Sequence, residues 1–435
     1  MNSYLGRPHA PVATLADIEL AHAARGAMVL AVLTLSWVSV NPFQSMADPL
    51  LLEASESGDT LNQIGYVAMA AATALTLLLN GRPIVTSLAR PAYVAMVLWL
   101  ALAVVTSTHP DLSARRFAFA MIVVFLAGSV LVLPTGIRQF TRLLIAMSVV
   151  VLGLCYAGVV LVPGEAVHQA TDVIEPGLAG DWRGVFPHKN IAGAMMAILV
   201  FLGLFVAATY NRVVGWGIAV AAVVFLAMCS AKTATILLPF ILILSAIGAR
   251  LRSRTALLVL ALGGLVLLNL ATVGSVAWPA IKSALAAFLP DVTFTGRSEI
   301  WQFALEKIRE RPLTGYGFMA FWRTEGIQFG SLEEVGPHMA AHAHNGFLDL
   351  ALTTGLPGLA LATLCVAVLP IVDYSRRGQG EPGDALGLLF LRIWIFTLYV
   401  ACFESVLFDR GNPIWFCMLM AIFGLRFLST RTVSL

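Results

Sequence analysis

The sequence has few charged side chains. Only 12% of its 435 residues are Asp, Glu, Lys or Arg, against about 25% in a typical soluble domain. Apolar residues make up 59%, and the mean hydropathy is +0.86. The net charge of +3 comes from basic residues in short loops, not from a block that would bind nucleic acid. This composition excludes an ordinary soluble protein and predicts a membrane protein with no nucleic-acid partner.

Cysteine is also scarce, and it lacks the spacing of metal or disulfide sites. The five cysteines are odd in number, form no CxxC pair and fall in or at the end of apolar runs. We therefore expect them to be packing residues within helices. They are Cys155, Cys229, Cys365, Cys402 and Cys417.

Long apolar runs dominate what remains. Most are about 16 to 24 residues long, which suits helices crossing a ~30 Å hydrocarbon core and not the ~10-residue strands of a barrel. We predict an all-α polytopic integral membrane protein with about 12 transmembrane helices. The first span is interpreted as an uncleaved anchor, because no cleavage site for a signal peptide closes it. The predicted spans are residues 27–42, 62–80, 91–107, 116–134, 141–163, 190–210, 213–230, 233–250, 255–277, 356–373, 385–408 and 412–429.

Short arginine-rich turns face the cytoplasm if the N-terminus lies inside, in agreement with the positive-inside rule. The chain then divides into a membrane domain over 1–277 (spans 1 to 9), a periplasmic loop cap over 278–355 and a membrane domain over 356–435 (spans 10 to 12). Basic residues on the outer face are not needed to orient the chain in the membrane. For Arg115 and Arg116, contact with lipid headgroups is as good an explanation as a functional role. The outer basic residues are Arg115, Arg116, Arg183, Lys189, Lys232 and Arg297.

The outer segment GDWRGVFPHKN gathers polar groups at the start of the sixth span. Arg183 lies between Trp182, which could support its guanidinium, and Gly184, which could admit a ligand. Arginine suits bidentate contact with phosphate oxygens. His188 and Lys189 add further polar groups. The alternative is an interfacial belt of Arg and Trp, but a belt requires only one or two such residues.

The periplasmic loop contains a predicted amphipathic helix that starts near Ser298 and ends at Pro312. Arg297 therefore lies at a helix N-terminus, where free amides and the helix dipole favour an anion. Glu299, in the first turn, could orient an arginine or a sugar, or form a structural ion pair. Arg183 and Arg297 together would suit a diphosphate.

A second helix is predicted directly after His344. Asn345 is a good N-cap, and the apolar run that follows is interrupted at Gly355. The positive end of the helix dipole should keep the His344 imidazole neutral and available as a base. His342, a histidine in the same loop, is more typical of a structural residue.

Several of these strings resemble a known family. His344, Asn345, nine residues, Gly355, two residues and Gly358 resemble the His-Asn-x9-Gly-x-x-Gly signature of the O-antigen ligase and O-antigen polymerase superfamily. GRSEIW and PLTGYGF resemble its Gly-Arg-x-x-x-Trp and Pro-Leu-x-Gly-x-Gly elements. RGVFPHKN resembles the version in the exopolysaccharide polymerase branch.

The resemblance implies a glycosyltransferase of the GT-C class that works in the bacterial inner membrane, faces the periplasm and uses no metal or other cofactor. It implies that Arg183 and Arg297 bind the diphosphate of an undecaprenyl-linked glycan donor. His344 would assist attack by the acceptor, with inversion. Lys189 and Lys232 could also bind the diphosphate, although Lys232 stands where relatives often carry arginine. Supporting roles are expected for Asn345, Glu299, Trp182, His188, His342, Arg115 and Arg116.

Three other functions compete with a polymerase of lipid-linked repeat units. A ligase would move a finished glycan onto lipid A core or a protein, and only the RGVFPHKN string favours the polymerase. A flippase for the same lipid usually has charged residues within its spans. The predicted spans here are nearly free of charged residues, apart from Arg392 and Glu404. A non-catalytic scaffold is the third. The implied partners are the lipid-linked donor and acceptor, membrane lipid and a chain-length regulator.

Overall fold

The computed structural model describes residues 15–46, 60–79, 90–173, 175–251, 254–288, 292, 294, 296–322, 324, 341–376 and 381–430. These residues are helical apart from turns and an isolated bridge between Val167 and Trp182. The predicted all-α fold is confirmed. The helices are α1 (Leu15–Trp37), α2 (Thr60–Leu79), α3 (Pro91–Val105), α4 (Pro110–Val132), α5 (Ile137–Leu161), α6 (Pro163–Ala166), α7 (Lys189–Thr209), α8 (Arg212–Cys229), α9 (Lys232–Leu251), α10 (Arg254–Ala271), α11 (Val273–Ala277), α12 (Pro279–Ala286), α13 (Arg297–Glu310), α14 (Gly346–Thr363), α15 (Leu369–Arg376), α16 (Glu381–Val400) and α17 (Pro413–Thr430), with a 3-10 turn at Pro176–Leu178 and a π-helical turn at Leu364–Val368.

Length and hydropathy identify the helices that can cross a membrane. Within the described residues, eight candidate spans meet both criteria, and three apolar helices are shorter. The chain is therefore a multi-pass membrane protein, while the number of about 12 spans remains a prediction. All five cysteines are buried, as predicted. The eight spans are Glu19–Trp37, Thr60–Leu79, Pro110–Val132, Ile137–Leu161, Lys189–Thr209, Arg212–Cys229, Gly346–Arg376 and Pro413–Thr430.

Helix α7 lies inside the bundle, with most of its side chains buried. It approaches α8 closely because both helices carry glycine at the contact. A Cβ on Gly203 would lie 2.7 Å from the backbone nitrogen of Ala219, and one on Gly215 would lie 2.2 Å from that of Ala207. Small residues allow such backbone contact between membrane helices. The contact fixes α7, whose N-terminus carries part of the candidate site.

The amphipathic helix predicted in the periplasmic loop is confirmed as α13. Its buried face, which includes Trp301, Ala304 and Ile308, packs against Leu348 and Leu352 of α14. Arg297 at the start of α13 and the loop before α14 are thereby held at the same end of the bundle. The division of the chain into two membrane domains and a cap remains a prediction.

The predicted span over 385–408 extends too far, because α16 ends at Val400. Ala401, Cys402 and Phe403 are apolar, so hydropathy does not mark the helix end. Instead, the amides of the following residues turn back onto the free carbonyls of the last turn, as those of Phe403 and Glu404 do onto Val400. Beyond this turn, the next carbonyls bind groups from other loops. The Gly346 amide donates to the Ala401 carbonyl at 2.8 Å. Glu404 consequently lies in the loop after α16 and not in a span.

Candidate active site

Glu404 is the carboxylate at which the candidate site is assembled. Its Oε1 accepts hydrogen bonds from Arg297 Nη2 at 3.0 Å and from Asn190 Nδ2 at 2.9 Å. Its Oε2 lies 3.4 Å from His344 Nδ1. The carboxylate thus joins the starts of α13 and α7, the loop before α14 and the loop after α16. Two of the residues singled out in the sequence, Arg297 and His344, are brought together here.

The charge of Glu404 is stabilised by these neighbours. Its side chain is only 16% exposed, and burial alone raises the pKa of a carboxyl group. The hydrogen bond with His344 and the charges of Arg297, His344 and His342 outweigh burial and lower the pKa of Glu404 to about 2. Glu404 is therefore ionised at neutral pH.

Arg297 begins α13, as the sequence predicts. Gly296 supplies the left-handed residue before the helix, with φ of 83°. The Arg297 side chain is 20% exposed, and its Nη1 donates to the Phe403 carbonyl. A guanidinium has five N–H donors, so donors remain for a further anion. Arg297 is therefore held by the loop after α16 while retaining donors for a ligand.

His344 lies where the chain turns into α14, in a left-handed conformation with φ of 49°. Its side chain is 29% exposed. The ring packs edge-on against His342, with centroids 4.2 Å apart, and the His344 amide donates to His342 Nδ1 at 3.3 Å. If Nδ1 of His344 donates to the ionised Glu404, Nε2 carries the free lone pair. That arrangement is suited to general-base chemistry.

Asn345 is the N-cap of α14, which confirms the prediction. Its Oδ1 accepts from the amides of Phe347 and Leu348, both at 3.0 Å. Its Nδ2 donates to the Cys402 carbonyl at 3.0 Å and to Asn269 Oδ1 at 3.1 Å. A single buried amide thus connects the His344 loop to the Glu404 loop. Asn345 is therefore a structural support of the site.

Arg183, unlike Arg297, is fully enclosed by the protein. Its side chain is fully buried, and Nη2 donates to the Gln44 carbonyl at 2.7 Å and Nη1 to the Phe186 carbonyl at 3.4 Å. Its Nε is buried without a partner. Burial lowers the pKa of Arg183, and the nearby Asp172 partly offsets this. The structure does not join Arg183 to Glu404 directly.

The neighbours of Arg183 serve packing. Trp182 packs edge-on against Tyr156 and Phe225. A Cβ on Gly184 would lie 2.6 Å from Cys155 Sγ, and its φ is 59°. The expectation that Gly184 leaves room for a ligand is therefore wrong, because side chains already fill that space.

His188 and Lys189 take part in a neighbouring polar network. His188 Nδ1 accepts the Asn190 amide at 3.1 Å and so caps α7, while its Nε2 lies 2.8 Å from Glu175 Oε2. The hydrogen bond with His188 lowers the pKa of Glu175. Lys189 Nζ donates to Asp181 Oδ2 at 2.6 Å. Both predicted residues are thus close to Asn190, but each is already paired with a carboxylate.

A small pocket lies beside Glu404. Lys232 is exposed at the start of α9, between Ala231 and Thr233, which both line the pocket. Lys232 itself does not line the pocket, so its role in the site stays a prediction. The pocket is lined by Asn190, Ala194, Ala231, Thr233, Ala234, Val400 and Glu404.

The remaining predicted residues lie outside this group. Glu299 is exposed on α13. Arg115 is exposed on α4, and Arg116 Nη1 donates to the Met319 carbonyl. Among the described residues, no group of three or more His, Cys, Asp or Glu side chains is arranged to hold a metal ion.

Sequence reasoning missed Glu404 and Asn190 as site residues. Asn190 ends the string GDWRGVFPHKN but was not assigned a role, and Glu404 belongs to no motif. The available signal was that Glu404 is an isolated carboxylate at the end of an apolar run, where an ionisable residue indicates function.

Comparison with known proteins agrees with the resemblance seen in the motifs. Residues 197–363 match the family model described as O-antigen ligase. A stretch of 125 residues is 31% identical to the exopolysaccharide production protein ExoQ of Rhizobium meliloti (strain 1021), covering 28% of this chain and 28% of that protein. The predicted resemblance to the O-antigen ligase and polymerase superfamily, exopolysaccharide branch, is confirmed. The family match includes Arg297 and His344 but neither Arg183 nor Glu404.

Proposed function

We propose that this chain is a glycosyltransferase of the GT-C class that polymerises undecaprenyl-diphosphate-linked oligosaccharide repeat units into a cell-surface polysaccharide or exopolysaccharide. We place it in the bacterial inner membrane with its site facing the periplasm. The observation that carries the proposal is the meeting of the Arg297 guanidinium and the His344 imidazole on Glu404. Transfer of a glycan from a diphosphate requires an anion-binding group and a base at one site.

Arg297 is the residue best placed to bind the donor diphosphate. It is partly exposed, retains free donors and contacts Glu404, which lines the pocket. Lys232, between two pocket residues in the chain, adds a positive charge nearby. Preorganised cations in a site of low dielectric stabilise the charge that develops on a leaving phosphate. Glu404 occupies an anion position at Arg297, so we expect an incoming diphosphate to share or replace that contact.

Arg183 and Lys189 have a less direct role in this proposal. Arg183 can touch a diphosphate only if the Gln44 carbonyl moves away, and Lys189 only if it leaves Asp181. Without such movement they contribute positive charge near the site and hold the segment that carries Asn190. Arg183→Lys and Arg297→Lys keep the positive charge but lose the planar fork that a bidentate phosphate contact needs. A direct contact at Arg297 alone predicts the greater loss of donor binding in Arg297→Lys.

His344 acts as the general base in the proposed reaction. The acceptor hydroxyl oxygen attacks C1 of the donor sugar as the bond from C1 to the phosphate oxygen breaks. The diphosphate leaves with the bonding electron pair, and His344 Nε2 takes the hydroxyl proton. A single displacement inverts the configuration at C1. Glu404 is a positioning residue that holds the imidazole by Nδ1 and stabilises the imidazolium that forms.

A ligase is the second candidate, because the matching family model is described as O-antigen ligase. The two activities share a donor and differ in acceptor. Purified protein in vesicles can be offered a lipid-linked repeat unit together with lipid A core. The proposal predicts products of several repeat units and no glycosylated lipid A. Transfer to lipid A without longer lipid-linked products would favour the ligase.

A further inference from the structure

A second group of cationic side chains lies on α4. Arg115 and Arg116 are in its second turn, and Arg116 Nη1 donates to the Met319 carbonyl. Arg410, from the loop after α16, lies over the Phe119 ring with its guanidinium carbon 5.7 Å from the ring centroid. Phe119 is one helical turn beyond Arg115 and Arg116, on the same face. Three guanidinium groups therefore lie near one another beside this face of α4, and each interacts electrostatically with the others. We call Arg115, Arg116 and Arg410 the α4 arginine patch.

The α4 arginine patch is only partly neutralised within the described part of the chain, because Asp409 interacts with Arg410 and Arg116 but carries a single charge. Asp409 is nearby, but its Oδ1 accepts the Gly411 amide and its Oδ2 accepts from Asn412 Nδ2, both at 3.3 Å. No carboxylate of the described residues forms an ion pair with any of the three arginines. Arg116 Nε is also buried without a hydrogen-bond partner.

The electrostatic environment of Arg410 supports the same conclusion. Burial lowers the pKa of Arg410, Asp409 partly offsets this, and the charge of Arg115 adds to the lowering. Like charges held this close repel each other. An anion with several oxygens would relieve that repulsion and satisfy the free donors.

The patch is separate from the Glu404 site but close to it. The loop between α16 and α17 carries Glu404 of the site and Arg410 of the patch, which is six residues later. A chain segment of this length spans at most roughly 20 Å. The loop is also anchored between them, because Phe408 packs against Phe318. Two anions could therefore be held at the same end of the bundle within reach of one oligosaccharide.

We propose that the α4 arginine patch binds the diphosphate of the second lipid-linked glycan, the acceptor, while Arg297 binds that of the donor. This inference rests on the proposed function. A polymerase must hold two lipid-linked chains together, and the acceptor keeps its diphosphate throughout the reaction. The acceptor's sugar end reaches His344 while its diphosphate stays at the patch. A ligase with a different acceptor has no need for a second diphosphate site.

An anionic phospholipid headgroup offers the same phosphate chemistry, so the test includes it. Radiolabelled undecaprenyl diphosphate is bound to the full-length protein in phosphatidylcholine nanodiscs, and the number of molecules bound per chain is measured. The measurement is repeated with excess phosphatidylglycerol. Wild-type protein is expected to bind two per chain, and the Arg297→Gln and Arg410→Gln proteins one each. Phosphatidylglycerol should not reduce these numbers.

Matched variants guard against loss of fold. Arg309→Gln removes an exposed arginine from α13 outside both sites and should leave two bound. Arg115→Gln, at an exposed position, replaces Arg410→Gln if that protein does not fold. In polymer synthesis, either patch variant should raise the KM for the acceptor roughly tenfold with kcat unchanged, as expected from loss of a charge-assisted hydrogen bond.

Two results would overturn the inference. One is a stoichiometry that is the same in wild type and in both patch variants. The other is displacement of one of the two molecules by phosphatidylglycerol, which would make the patch a headgroup site. Failure of the proposed function is distinguishable: wild-type protein that binds two molecules but forms no longer chains would overturn the polymerase and leave a second diphosphate site.

Discussion

At the residue scale, the site depends on the contacts of Glu404 with Arg297 and His344. The sequence predicted Arg297 and His344 because each lies at a recognisable helix start. It could not predict that a carboxylate about 60 residues beyond His344 would join them, because no local pattern marks such a contact. For the same reason it could not show that Arg183 is directed toward Gln44.

Glu404 should make the stability of the protein sensitive to acid. Its pKa is lowered from 4.5 to about 2 in the folded protein. The stabilisation is therefore fully present above about pH 4.5 and is lost as the pH falls toward 2, by an amount of roughly 3 kcal/mol. In detergent, the Tm of the wild type should fall more between pH 6 and pH 3 than that of Glu404→Gln.

Glu299→Gln is the control for this comparison, because Glu299 is exposed on the neighbouring helix α13. It should show the full wild-type fall in Tm. An equally large fall in Glu404→Gln would mean that Glu404 is not a stabilising charge.

Replacing Asn345 should destabilise the protein more than replacing an ordinary helix cap. Asn345→Ala removes the cap of α14 and two further hydrogen bonds, one of them fully buried, which we expect to cost about 2 to 4 kcal/mol. Asn211→Ala removes only the cap of α8, at a cost of about 1 kcal/mol. Thermal unfolding compares the two, and only Asn345→Ala should also reduce activity. Equal losses of stability would argue against the link between the two loops.

At the element scale, sequence patterns located the helices better than their ends. The break in α14 at Gly355 was predictable because glycine and proline interrupt an apolar run, and the structure shows φ of 71° there. The end of α16 was not, because the chain turns back onto Val400 and the next carbonyls, those of Cys402 and Phe403, are bound by Asn345 and Arg297 from other elements. Such partners are not visible in local hydropathy.

Gly355 should tolerate no side chain. A Cβ there would lie 2.1 Å from the Leu313 carbonyl oxygen, so Gly355→Ala should separate α14 from the loop before it and destabilise the protein by more than about 1 kcal/mol. Gly217→Ala in α8, where a Cβ meets nothing within 4 Å, should be neutral or slightly stabilising. Thermal unfolding of both proteins in the same detergent tests this. Equal Tm values would contradict the close contact at Gly355.

At the scale of the whole molecule, composition alone predicted a multi-pass membrane protein. The described residues confirm this with eight candidate spans. Composition could not determine which outer segments meet, because that depends on how the helices pack. The meeting of the starts of α7, α13 and α14 at one loop required the structure.

The proposed orientation places α13 in the periplasm and the turn before α8 in the cytoplasm. Single cysteines at the exposed positions Glu299 and Arg212 can be treated in intact cells with a thiol reagent that enters the periplasm but not the cytoplasm. Glu299→Cys should react and Arg212→Cys should not. Background is expected to be low because all five native cysteines are buried. The reverse pattern would place the site on the cytoplasmic face.

The central claim is that Arg297 and His344 act at one site on a lipid-linked glycan. The most direct test is the length of the products that purified protein makes from a lipid-linked repeat unit as its only sugar substrate. Wild-type protein should give a ladder of repeat units. His344→Gln, which removes the base, should slow its formation at least about 100-fold, whereas His342→Gln should have a much smaller effect. A ladder formed by His344→Gln at the wild-type rate would contradict the claim.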